Sequence, residues 1–119
     1  MVYLTKKIHF SASQTLKDSK LSGHNYVLEV TVRGQRDEKK GPLLDFEKIT
    51  RKIEKKILSY VNYKHLEEKS PFLEGKDPTA ENLVKVFWKQ LEKEFPGGAL
   101  YEIKLQQAES ETVTYRGES

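Results

Sequence analysis

From Tyr26 to Arg33 the chain alternates strictly, with Tyr26, Leu28, Val30 and Val32 opposite Val27, Glu29, Thr31 and Arg33. Period-two alternation marks a strand with one buried and one wetted face. Such a strand needs a second layer over its apolar side. Residues 2–12 repeat the pattern, placing Val2, Leu4, Ile8, Phe10 and Ala12 on one face with Lys6 as the exception. The stretch Lys17-Asp18-Ser19-Lys20-Leu21-Ser22-Gly23 between them is polar and ends in glycine, so an antiparallel pair joined by a long loop is expected.

The period then changes. After a charged turn from Gly34 to Gly41, Asp45 offers a helix N-cap before Phe46, Ile49, Ile53, Ile57 and Val61, with Leu58 widening the face. Pro71 and Gly75 interrupt the next stretch. A second helix is expected to begin near Asp77-Pro78-Thr79, with a stripe of Leu83, Phe87, Leu91 and Phe95 flanked by Val84 and Trp88. Pro96-Gly97-Gly98 ends it. Two strands follow at about 99–107 and 111–117, turning at Ala108-Glu109-Ser110. The order strand, strand, helix, helix, strand, strand predicts an α+β sandwich, an antiparallel sheet with two helices on one face. Its outer edges would be unpaired, and closure into a barrel between subunits would cover them.

Length and composition narrow the function. A chain of 119 residues fits one domain, 1–119, with a modest core that association would enlarge. No apolar run approaches the ~20 residues of a membrane span, and the N-terminus lacks a signal-peptide pattern, so a cytoplasmic protein is expected. Without cysteine there is no disulfide framework, thiolate zinc site or cysteine nucleophile. Abundant Lys and Glu suit a thermophile's protein. Basic and acidic residues, 21 against 18, are interleaved as on a solvated helix face, so no nucleic-acid partner is expected.

Several segments resemble one family. Ser22-Gly23-His24-Asn25-Tyr26 is similar to the His-Gly-His-Asn-Tyr segment of the 6-pyruvoyltetrahydropterin synthase and 6-carboxytetrahydropterin synthase family, which serves tetrahydrobiopterin and queuosine synthesis. Phe10-Ser11-Ala12-Ser13-Gln14-Thr15-Leu16 resembles its Phe-Ser-Ala-Ser-His-x-Leu, and Gly41-Pro42-Leu43-Leu44-Asp45-Phe46 its entry to the first helix. Val61-Asn62-Tyr63-Lys64-His65-Leu66 is similar to its Leu-Asp-His-Lys-Asn-Leu, and Pro78-Thr79-Ala80-Glu81-Asn82 to its Pro-Thr-x-Glu-Asn. Ile103 to Gln107 and Thr114 to Glu118 resemble its last hairpin. The resemblance spans essentially the whole chain. It implies the tunnelling fold, a homotrimer or homohexamer with joined sheets, and a site for a pterin- or purine-like heterocycle at a subunit interface.

The same resemblance implies a changed site. The family's three zinc-binding histidines fall on Gln14, Ser22 and His24. One imidazole with an amide and a hydroxyl is a poor set for a catalytic zinc, so no cofactor is expected. The family's base is a cysteine tuned by an Asp-His pair, whose positions here read Asn62 and Tyr63. Tyr63 and the nearby His65 are the candidate catalytic residues. The family's pterin-anchoring glutamate falls on Gln107, with Thr79 and Glu81 as further ligand-binding candidates. A carboxylate accepts twice, whereas an amide donates once and accepts once. Gln107 therefore matches a lactam edge, C=O beside N–H, better than two adjacent donors. Urate oxidase, from the same superfamily, reads its ring with a glutamine.

The expected function is heterocycle binding without the family's zinc-dependent lyase chemistry. A second reading is an active pterin or 7-deazapurine pathway synthase or lyase with altered catalytic residues, using Tyr63, His65 or Glu109. A third is a non-catalytic subunit that co-assembles with an intact relative.

Overall fold

In a computed structural model the chain forms one five-stranded sheet in the order β3-β1-β2-β4-β5. The structure describes residues 1–15, 21–34, 45–62, 64–66, 71–73, 76–95, 97–108 and 110–118; the side chains at 14, 15, 21–24, 64, 65, 71 and 108 lie outside the description. The strands are β1 (Val2–Thr15), β2 (Leu21–Gly34), β3 (Lys64–Leu66), β4 (Leu100–Ala108) and β5 (Glu111–Tyr115). Helix α1 (Phe46–Ile53) continues through a π-helical turn, Glu54–Leu58, into α2 (Ser59–Val61). Helix α3 is Ala80–Glu92. The fold class is the one expected from the sequence, and so is the element order apart from the short β3.

The alternating faces explain the layering. Phe10, Tyr26, Leu28, Val30, Val32, Ile103 and Leu105 are buried on the sheet's inner side. Facing them, Ile49, Ile53, Ile57 and Val61 line the first helical run, and Leu83, Val84, Phe87 and Leu91 line α3, all buried. Phe10 stacks on Tyr26 at 4.8 Å between ring centroids and meets Phe87 edge-on at 6.1 Å, tying sheet to helix. The outer face is polar. There the Oγ1 atoms of Thr5 and Thr31 are hydrogen-bonded at 2.7 Å, and the Arg116 Nε–H donates to Glu102 at 2.8 Å.

Four features depart from the expectation. Strands β1 and β2 pair from Val2↔Gly34 to Thr15↔Leu21, well beyond the alternating stretches, because backbone pairing is indifferent to the polar side chains near the hairpin. A short β3 adds parallel to β1 through Ala12↔Lys64, Ser13↔His65 and Gln14↔Leu66; three residues are too few to show a period. Phe46 lies off the buried stripe and is 52% exposed. Helix α3 ends at Glu92, before the Gly pair; Gly97 and Gly98, at φ +74° and +75°, instead turn the chain towards β4. Phe95 remains buried past the helix end, with Lys52 Nζ 5.4 Å from its ring centroid.

Candidate ligand-binding site

Helix α3 starts beside the β4–β5 hairpin, and a cavity of about 230 Å³ lies between them. Its lining is Thr79, Ala80, Glu81, Leu105, Gln107, Glu111 and Val113. Thr79 is the N-cap: its extended backbone turns into the helix and its Oγ1 accepts the Asn82 backbone N–H at 3.3 Å. The Asn82 side-chain amide donates back to the Asp77 carbonyl at 3.0 Å, fixing the approach to the helix. Glu81 therefore sits in the first turn, where the helix dipole favours a carboxylate.

The opposite wall depends on a bulge. Register runs Leu105↔Val113 and Gln106↔Thr112, then shifts to Ala108↔Glu111. Gln107 is the extra residue on β4, a β-bulge placed next to the turn. Strand parity puts Gln107 on the helix-covered side with Leu105, and Glu111 on that side with Val113. Leu105 and Ala80 are buried and Val113 half-buried, so the floor is apolar. Gln107 is half-buried, while Thr79, Glu81 and Glu111 are exposed at the rim.

An apolar floor suits a flat ring, and the rim supplies hydrogen bonds to its edge. Among the described residues, two carboxylates, one amide and one hydroxyl line the cavity, with no basic side chain. The volume falls below the ~300–1,000 Å³ of sites for drug-sized ligands, so a small occupant fits. The structure thus brings Thr79, Glu81 and Gln107 to one place. Glu111 was missed; the signal was the alternation Glu111, Val113, Tyr115, which puts it on the Val113 face.

The other expected site positions gather elsewhere. Backbone register sets Gln14 opposite Ser22 and Ala12 opposite His24, and β3 sets His65 beside Ser13. The side chains of Gln14, Ser22, His24 and His65, and Tyr63 as a whole, lie outside the described residues. Asn62 is engaged structurally: its Oδ1 accepts the Ser11 backbone N–H at 3.2 Å, fastening the helical run to β1. Ser11 Oγ in turn donates to Asn25 Oδ1 at 2.6 Å. His9 is exposed and pairs with Val27, on the face opposite Phe10. Among the described residues no group of three His, Cys, Asp or Glu is placed to hold a metal. Nor does any described helix have the length and apolarity to cross a membrane.

A mainly antiparallel sheet backed on one face by two helical segments, with a cavity where the second long helix meets the last hairpin, is the α+β tunnelling fold. Residues 3–118 match the family model described as 6-pyruvoyl tetrahydropterin synthase, and the chain belongs to that family. It is 35% identical to the 6-pyruvoyl tetrahydrobiopterin synthase of Dictyostelium discoideum, over 98% of this chain and 97% of that protein. Identity to the human protein of the same name is 29%, over 97% of this chain and 91% of the relative. Among solved structures, the Caenorhabditis elegans 6-pyruvoyl tetrahydropterin synthase superposes with a TM-score of 0.86 at 24% identity, covering 98% of this chain and 96% of that one. At that identity the superposition speaks for the fold.

Proposed function

We propose that this chain binds a pterin- or purine-like heterocycle in the cavity between the start of α3 and the β4–β5 bulge, without zinc-dependent lyase chemistry. One observation carries the reading: Thr79 and Glu81 line the same cavity as Gln107, which is distant from them in sequence. Gln107 reads a lactam, its amide N–H donating to the ring carbonyl and its Oε1 accepting the ring N–H. The cavity adjoins β5, the last strand of the sheet, so a second subunit completes it from that side. The cytoplasm is the compartment proposed.

Zinc does not fit the corresponding positions. Although the register brings Gln14, Ser22 and His24 close along β1 and β2, the set holds one imidazole, a neutral amide and a hydroxyl that stays protonated at neutral pH. A catalytic zinc takes about three strong protein ligands and keeps one position open.

Calorimetry with hypoxanthine and with pteridin-4-one tests the binding reading. At least one should bind the wild-type protein, and Gln107→Leu should weaken it about tenfold or more, the cost of unpaired polar groups on the ring. Absence of binding to either ring at millimolar concentration would sink the reading.

A second reading, an active synthase, is favoured by the 35% identity to a protein named 6-pyruvoyl tetrahydrobiopterin synthase across nearly the whole chain. Tyr63 and His65 would then be the residues to test for proton transfer. Turnover of the synthase substrate by metal-free protein, lost in His65→Ala, would establish it.

A further inference from the structure

Strand β4 carries a second bulge, at its other end. Pairing with β2 runs Thr31↔Glu102 and then Val32↔Leu100, which makes Tyr101 an extra residue. A bulge re-aims the side chain it carries. Tyr101 and Glu102 both come to the polar face of the sheet, away from the helices. There Tyr101 meets side chains from β1, β2 and the end of β5. The guanidinium carbons of Arg33 and Arg116 lie 5.0 and 5.5 Å from its ring centroid, and the Tyr3 ring stands edge-on at 5.0 Å. The shared ring therefore holds two guanidinium groups close together. Each is fixed by its Nε–H, which donates to the Gly98 carbonyl at 3.4 Å from Arg33 and to Glu102 at 2.8 Å from Arg116. These bonds leave the paired terminal amino groups of each guanidinium.

The local charges do not cancel. Glu102, 8% exposed, is shared between Arg116 and Lys104, whose Nζ reaches it at 3.7 Å, and Glu118 sets a second negative charge by Arg116. Three cations thus face two carboxylates, and Arg33 has no carboxylate partner among the described residues. Two like charges drawn to one ring repel, and an anion between them offsets the repulsion. Guanidinium forks match the oxygens of phosphate two at a time. Arg116 is exposed, and an open groove of about 460 Å³ lined by Thr114, Tyr115, Arg116 and Glu118 lies against it. We propose that Arg33 and Arg116, gathered around Tyr101, hold a phosphate-type oxyanion, free or as a small phosphate monoester. This second site is on the opposite face of the sheet from the heterocycle cavity. Along β4 it is six residues from Gln107, about 20 Å by strand rise, so neither site requires the other.

Calorimetry of the intact protein with inorganic phosphate and with glycerol 2-phosphate, in low-chloride buffer, tests the site. At least one should bind the wild-type protein and raise its melting temperature. Arg33→Gln should weaken that binding about tenfold or more, the loss of charge-assisted hydrogen bonds from one fork. Arg33→Lys keeps the charge and the stem but not the fork, and should fall between the two. Arg33 makes no ion pair among the described residues, so its variants test the site more cleanly than those of Arg116, which also serves Glu102. If Arg33→Gln itself melts lower, Arg33→Lys carries the comparison. Arg51→Gln, at an exposed arginine of α1, should leave the affinity unchanged. Equal losses in Arg51→Gln and Arg33→Gln would show diffuse attraction to a basic protein and overturn the site. So would the absence of binding of both anions to wild type at millimolar concentration. Hypoxanthine or pteridin-4-one should bind Arg33→Gln as it binds wild type; a parallel loss would overturn the separation of the two sites.

Discussion

Tyr26 shows how one position serves both core and chemistry of the fold. It is 1% exposed, stacked on Phe10, and burial pushes its phenol up to about 12. An unfolded tyrosine titrates near ~10. Between these values the unfolded chain loses a proton that the folded chain keeps, so the stabilisation is complete below pH 10 and is lost as pH rises towards 12. The loss approaches about 2–3 kcal/mol, at 1.36 kcal/mol per pH unit. Urea melts of wild type and Tyr26→Phe from pH 8 to 12 should diverge, with the variant losing less stability above pH 10. Parallel curves would show that Tyr26 does not titrate against folding. Gly117 is constrained by its backbone instead: at φ +79° it lies so close to Trp88 that an added Cβ would fall 2.5 Å from Cζ2, which confines the place to glycine.

At the scale of elements, the helices are set by their ends as much as by their stripes. Asp45 accepts the Lys48 N–H at 2.8 Å in the β/extended conformation of an N-cap. Asp45→Ala should lower stability by about 1 kcal/mol and the melting temperature by a few degrees, whereas Asp45→Asn or Asp45→Ser should retain most of it. A melting temperature unchanged in Asp45→Ala would show that packing of Ile49 and Ile53 alone holds this end. The far end is fastened differently. Lys56 and Lys52 reach Glu94 at 3.3 and 3.5 Å, and Lys52 Nζ also donates to the Glu94 carbonyl at 3.0 Å. The Lys56 hydrogen bond, foremost, holds the Glu94 carboxyl below its ordinary range. The Arg51–Glu47 pair on the first helix is largely exposed and contributes little.

The whole molecule is long for its size. Its extents are 57 × 26 × 23 Å and its radius of gyration, 15.1 Å, exceeds the ~13–14 Å of a compact chain of this length. Strand β1 is covered by β3 only from Ala12 to Gln14, so along residues 2–11 its outer edge has no strand partner among the described residues. Met1, Val2 and Tyr3 are 66%, 50% and 53% exposed at that edge, and β5 forms the other. Open edges with apolar residues beside them are templates for pairing with another copy. Sedimentation equilibrium should therefore find a trimer or hexamer at micromolar concentration, and a stable folded monomer would count against closure of the sheet between subunits.

Alternation at Tyr26–Arg33 and the stripes at Ile49–Val61 and Leu83–Leu91 were legible in the sequence because strand and helix periods are local properties. The Asp45 cap was legible for the same reason, while the second was narrowed only to Asp77 or Thr79; the candidacy of Thr79, Glu81 and Gln107 came from the family resemblance. What the sequence could not show was relation. The parallel addition of β3 joins segments far apart in the chain, and nothing in three residues announces it. The bulge at Gln107 is a mismatch between two strands and has no existence in either alone. It is this mismatch, together with the docking of α3 over β4 and β5, that makes a cavity from residues otherwise scattered and brings Glu111 to the same side as Gln107. Sequence by itself determined which faces were apolar and which residues could form hydrogen bonds at the site. Tertiary structure decided which of those residues meet, because that depends on register and packing between segments rather than on any one of them.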